Sequence, residues 1–356
     1  MPKKAGMKLD DRSVANLKAS VKECNDIVSR LKKTDIAKKD ARRTRKSPSG
    51  MDRGAKRCLL RDNCDRAGNA AVEKDVDRLI NLSHQAYNQY RPMTGAEPNT
   101  HEFITDKAMA LLGMAPGIAE VIHRYCTYPD EPKSDMSDLI FEGHFYGKTA
   151  SGEPGNFLVN QFSEPVLAFM EERKKALYGD DEDIQEHAVM NFKRYYDQAM
   201  RAGSDDQKLF YLGVAAHFLE DLTAPHHTGN YPAFPYVDHV FFEKFASHYV
   251  YDKPAFKISR VSYNDFKNKL KSNPKKPEAY ALEITSMATP YIQYIRKVEA
   301  PKSKGAVRGI FSVDAVIDKL NETLLAGKHE PWEKAIVGAV PLAVYATAYL
   351  LETTVM

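Results

Sequence analysis

Cysteine is scarce in this chain of 356 residues: there are four, Cys24, Cys58, Cys64 and Cys126, and no two form a CxxC pair. A disulfide-stapled scaffold and a structural zinc ribbon are therefore excluded. No apolar stretch of signal-peptide type follows the opening MPKKAGMKLDD, so an ordinary secretory leader is not expected. The longest membrane-like run, Ala335–Leu351, has 17 residues and is interrupted by Pro341, Thr347 and two tyrosines. It falls just short of a membrane span of about 20 residues and reads as a buried terminal helix. The chain is expected to be cytoplasmic or exported by a non-standard route. Runs of strand-like alternation are also lacking, as are internal repeats, which leaves an all-α body.

A large net charge is missing too, but the total of +3 hides a split. Residues 1–75 carry 21 Lys/Arg against 11 Asp/Glu, a net +10, and residues 76–356 carry 30 against 37, a net −7. The chain reads as a basic N-terminal extension, residues 1–88, on an acidic domain, residues 89–356. Val14, Leu17, Val21, Cys24, Val28 and Leu31 alternate at spacings of three and four, the seam of a short coiled coil or helix hairpin that needs a partner surface. Residues 32–57 are basic and polar with Ser-Pro-Ser-Gly at their centre, and read as a linker or arm. Attraction to anionic lipid or nucleic acid is one role for that charge, and solubility is the other.

Helical patterns follow at 72–90, from Asn99/Thr100, and at about 164–178, 184–202, 206–222, 236–250, 276–297, 313–325 and 333–352. Residues 127–160 read as long loops. GHFYGKT at Gly143–Thr149 is one residue short of a phosphate-binding loop and has no strand–helix context around it.

The informative segment is FYLGVAAHFLEDL, Phe210–Leu222. It is apolar nearly throughout, yet His217 and Asp221 stand four residues apart on one helical face. A buried carboxylate without a partner costs several kcal/mol, so that face must meet cations or donors. A structural His–Asp pair would satisfy this by itself. The next helix, however, places His239 and Glu243 at the same spacing in YVDHVFFEKFASHY, and Pro225-His226-His227 lies between the two. Together these residues offer the nitrogen and oxygen donors that zinc favours.

HFLEDLTAPHH followed by HVFFE resembles the zinc-dependent phospholipase C family, which includes the bacterial secreted phospholipases and clostridial alpha-toxins. The resemblance implies a compact multi-helix bundle, three zinc ions, and hydrolysis of the glycerol-side phosphodiester bond of phospholipids. The family pattern falls on His217, Asp221, His227, His239 and Glu243. Upstream, Asp130 and His144 have the fourteen-residue separation the family requires, and His101 in NTHEFITDKAMALLG fits its helix-opening histidine.

The implied grouping is one zinc on Asp130, His144, His217 and Asp221, a second on His227, His239 and Glu243, and a third on His101 and a bridging Asp221. Asp130 would also orient or deprotonate the attacking water. His226 is expected outside the ligand set, as a supporting or exposed residue. Glu131 and Phe141 are the candidate headgroup contacts, although the family has tyrosine where Glu131 stands. Tyr231, Phe234 and Tyr236 read either as a lipid-facing lip or as packing.

In the family an N-terminal tryptophan completes the third site with its amino group and carbonyl. Here Asn88 or a neighbour occupies that position, and the only tryptophan is Trp332. Cleavage near residues 84–92, another ligand, or a weak third site would each resolve this, and the first would make the extension a propeptide. The related fungal single-strand nucleases end their motif with HxxxD, so Glu243 favours the lipase. A non-catalytic protein that keeps the fold to dock on membrane is the remaining reading.

Overall fold

A computed structural model describes residues 15–16, 19–20, 22–33, 70–82, 99–131, 143–148, 154–162, 164–179, 184–232, 238–252, 256–295 and 330–356. Residues 34–69, the expected helix at 313–325, and Phe141, Phe234 and Tyr236 lie outside them. The architecture is all-α. Its only strands among the described residues are β1 (Gly147–Lys148) and β2 (Pro154–Gly155), an antiparallel pair.

The helices are α1 (residues 22–33), α2 (residues 70–82), α3 (Thr100–Leu112), α4 (Pro116–Tyr125), α5 (Phe157–Gln161), α6 (Glu164–Tyr178) and α7 (Ala188–Arg201). They continue as α8 (Asp205–Asp221), α9 (Pro225–Thr228), α10 (Asp238–Asp252), α11 (Arg260–Lys269), α12 (Pro277–Ala288), α13 (Ile292–Ile295) and α14 (Glu330–Thr354). The sequence reading omitted α4, α5, α9 and α11, and the 127–160 segment read as loops carries the β1–β2 pair and the start of α5. Helix α11 buries only Tyr263 and Phe266, too few apolar positions to make a period.

Two helices organise the domain. Helix α8 is buried from Leu212 to Asp221, with α7 on one side and α4 on another. The approach to α4 is close: a Cβ on Gly213 would lie 2.8 Å from Tyr125 Cβ and 3.0 Å from the Ile122 carbonyl oxygen. Helix α14 runs 25 residues, eight more than the apolar stretch in the sequence, and is long and apolar enough to cross a membrane. Here it lies against α3, α8 and α10 instead, and Trp332 packs edge-on to Phe242 at 5.6 Å. Every buried methylene on it contributes roughly 0.8 kcal/mol to holding those helices together.

The N-terminal helices share the same core. Cys24, Ile27, Val28 and Leu31 of α1 and Val76, Leu79, Ile80 and Leu82 of α2 are each at most 2% exposed. Arg30 pairs with Asp75 and Arg78 with Glu23 across the hairpin, and Arg173 of α6 grips Asp77 and Glu73 of α2.

Candidate metal centre

Local sequence rules bring each ligand candidate to one place. Asn99 caps α3 by accepting the His101 amide at 2.7 Å, which fixes His101 in the first turn. Ser204 caps α8, with Asp205 and Asp206 in its first turn, and the helix then carries His217 and Asp221 inward one turn apart. Pro225 opens the short α9, on which His227 sits. The 143–148 segment docks on α9: the Tyr146 amide donates to the His227 carbonyl at 3.1 Å, and His227 Nδ1 donates to the His144 carbonyl at 2.8 Å. Asp130 comes from the helical turn Tyr128–Asp130 that follows α4.

The structure brings all eight residues together. Oδ2 of Asp221 lies 2.9 Å from His144 Nδ1 and 3.3 Å from His217 Nε2, and those two ring nitrogens are 3.1 Å apart. Asp130 Oδ1 is 3.6 Å from His217 and 3.9 Å from His144. The other Asp221 oxygen faces His101 Nε2 at 3.6 Å. In a third cluster Glu243 Oε1 is 2.6 Å from His239 Nε2 and 3.2 Å from His227 Nε2.

These separations are the spacing of metal ligands. Donors about 2.0–2.1 Å from a tetrahedral zinc stand about 3.3 Å from one another. The rings are also presented correctly. Nδ1 of His217 donates to the Cys126 carbonyl at 2.8 Å, and Nδ1 of His227 to that of His144. A carbonyl can only accept, so each Nδ1 carries the proton and each Nε2 offers a lone pair to the cluster. A buried Asp221 among four imidazoles, with nitrogen and oxygen donors only, fits zinc.

The electrostatics agree. Burial raises the Asp221 carboxyl, but His227, His217 and His144 outweigh it and hold it well below the usual carboxylate range. Burial likewise opposes ionisation of Glu243, and His239 and His227 hold that group well below its ordinary value. Burial lowers His101, whereas Glu220, Asp221 and Asp130 raise it to about 9. In the metal-free protein, protons on imidazoles balance the carboxylates, so metal uptake must release protons.

Residues 100–284, just over half of the chain, match the sequence model of a family described as zinc dependent phospholipase C. The chain belongs to that family. Among solved structures, a Clostridium absonum alpha toxin is 16% identical with a TM-score of 0.44, over 72% of this chain and 65% of that one. Clostridium perfringens alpha-toxin from an avian strain is 18% identical with a TM-score of 0.41, over 72% and 64%. This chain thus spans slightly under two thirds of the length of either toxin. No curated protein matches it.

Other expectations fare unevenly against this zinc dependent phospholipase C frame. Glu131 is exposed at the end of the Asp130 turn, and Phe141 lies outside the described residues. Tyr231 is buried at 8% exposure, so it packs into the core rather than forming a lipid-facing lip. His226 is fully buried; its Nε2 meets Asp238 Oδ2 at 3.1 Å, and its ring stacks on His239 at 4.8 Å.

Three groups around the site were missed in the sequence. The carbonyls of Cys126 and His144 leave no residue-specific signal. Glu220 did leave one: it is a carboxylate on a helix that is otherwise apolar, next to a ligand candidate.

Proposed function

We propose that this chain hydrolyses the glycerol-side phosphodiester bond of phospholipids with two to three zinc ions, in the domain spanning residues 89–356. The proposed ligands are Asp130, His144, His217 and Asp221 for one ion, His227, His239 and Glu243 for a second, and His101 with Asp221 for a third. Bound zinc supplies Lewis acidity, which acidifies water toward neutral pH and neutralises charge developing on the phosphoryl oxygens. Asp130 has the most open carboxylate of the first group, with a side chain 51% exposed, and is the residue to orient and deprotonate the attacking water. Asp221 keeps its charge by facing four imidazoles, and His217 and His227 keep their tautomers by donating to backbone carbonyls.

The observation that carries the lipid reading is the cavity beside these residues, about 130 Å³ in volume. Its lining includes His101, Asp130, Asp221, His227 and Glu243 together with Ile104, Phe242, Ala246, Ile336, Ala339 and Val340. No Lys or Arg is among its described lining residues. A polyanionic strand recruits Lys and Arg along its path, whereas a single phosphodiester carrying apolar chains needs an apolar wall and metal charge. Glu131 is the proposed contact for a cationic headgroup, with Phe141 as its aromatic partner.

Product analysis on phosphatidylcholine micelles tests the assignment. Diacylglycerol and phosphorylcholine are expected; phosphatidic acid and free choline would mean that a different bond is cut.

A further inference from the structure

Glu220 is 2% exposed, on the face of α8 next to Asp221. A carboxylate this deep needs donors, and it has three of them from two helices. Its Oε1 accepts from Thr105 Oγ1 of α3 at 2.9 Å and from Thr347 Oγ1 of α14 at 3.0 Å, and its Oε2 lies 2.8 Å from His101 Nδ1. Thr223 Oγ1 donates to its backbone carbonyl at 2.7 Å, which fixes the end of the helix. The His101 ring is clamped on its other side by stacking on His217, with centroids 4.1 Å apart and planes 23° apart.

We propose that Glu220 is a positioning residue that holds His101 in the tautomer presenting Nε2 to Asp221. An ionised carboxylate only accepts, so Nδ1 of His101 must donate to it, and the lone pair is left on Nε2, 3.6 Å from Asp221 Oδ1. Of the ring nitrogens that face the proposed metals, this one has a side-chain carboxylate behind it where His217 and His227 have backbone carbonyls. Backbone partners are fixed by the fold, whereas Glu220 is itself fixed by Thr105 and Thr347. The position of His101 therefore depends on α3 and α14 being docked on α8.

This inference rests on the zinc reading, and its test is kept apart from lipid hydrolysis. Full-length wild type, Glu220→Gln, Glu220→Ala and Thr347→Val are stripped of metal and titrated with zinc against a competing chelator. Nitrogen-15 spectra of the zinc-loaded protein report which ring nitrogen of His101 keeps its proton. Wild type is expected to carry the His101 proton on Nδ1.

Glu220→Ala should weaken one ion of the set about 10–100-fold and leave the others unchanged. Glu220→Gln, whose amide oxygen can still accept, should recover part of that loss, and Thr347→Val should lose a few-fold. If Glu220→Ala fails to fold, Glu220→Gln and the wild-type tautomer decide the matter. Unchanged affinity in Glu220→Gln together with Glu220→Ala or Thr347→Val, or a wild-type proton on Nε2, would overturn the proposal while leaving phospholipase activity intact. A wild type with the expected tautomer and zinc binding but no lipid hydrolysis would sink the function and not the role of Glu220.

Discussion

Replacing Leu79 with alanine asks what attaches the N-terminal helices to the rest of the molecule. The opposed charges of the two halves, +10 and −7, invite an electrostatic answer, with a basic propeptide held on an acidic body. The contacts argue otherwise. The pairs that join α2 to α6, Arg173–Asp77 and Arg173–Glu73, have side chains 25–46% exposed, and pairs of this kind contribute about 0–1 kcal/mol each and weaken with salt. Leu79 is 1% exposed in the same core as the buried face of α6, and truncating a buried leucine costs about 2–5 kcal/mol.

Leu79→Ala should therefore lower the melting temperature by roughly 4–10 °C, against about 4 °C or less for Arg173→Ala, which removes two such pairs. Wild-type melting should shift little between low and high salt, and a chain beginning at residue 83 should be less stable than the full chain rather than more active. Scanning calorimetry on the four proteins checks this. Release of α1 and α2 by high salt alone, followed by limited proteolysis, would refute the apolar attachment.

Asp221→Asn should abolish hydrolysis and reduce zinc content, because one side chain serves both clusters on α8; metal analysis beside the activity assay checks both. His187 accepts the Met190 amide at 3.3 Å as the cap of α7, and burial pushes its ring down to about 4. Only the neutral ring can accept, so stability is fully present above about pH 6.5 and is lost as pH falls toward 4. The loss amounts to at most about 3 kcal/mol, and denaturant melts of wild type and His187→Gln across that window should converge at low pH. Gly213→Ala should destabilise the α4–α8 contact by about 1–3 kcal/mol, read as a lower urea midpoint with the slope unchanged. Zinc affinity should fall as pH falls, since uptake displaces protons, and a chelator titration at several pH values measures the number released.

Much of the site was legible because the proposed metal ligands break the local rules of their helices. His217 and Asp221 stood out as charge inside an apolar run, and the repeat of that spacing at His239 and Glu243 made a single structural pair an insufficient explanation. Helix α3 was legible from Asn99, whose short polar side chain does what a cap must do. Groups that act through the backbone were not legible, since any residue could supply the carbonyls of Cys126 and His144. His226 was expected either to support a ligand or to be exposed, and the structure gives the first, stacked on His239; a short proline-opened helix carries no periodicity from which to read that burial. Glu220 was overlooked for the opposite reason: its neighbour Asp221 already explained the anomaly. The 17-residue apolar run understated α14, whose polar ends, Glu330 to Lys334 and Glu352 to Thr354, continue the helix without continuing the hydropathy.

The His/Asp/Glu cluster is proposed to hold zinc for phospholipid hydrolysis. Protein stripped of metal, and the same protein restored with zinc, should be assayed side by side on phosphatidylcholine micelles and on single-stranded DNA. No activity is expected without zinc, and restoration should release phosphorylcholine with little or no cleavage of DNA. Zinc-restored protein that degrades the DNA and leaves the lipid intact would contradict the proposal.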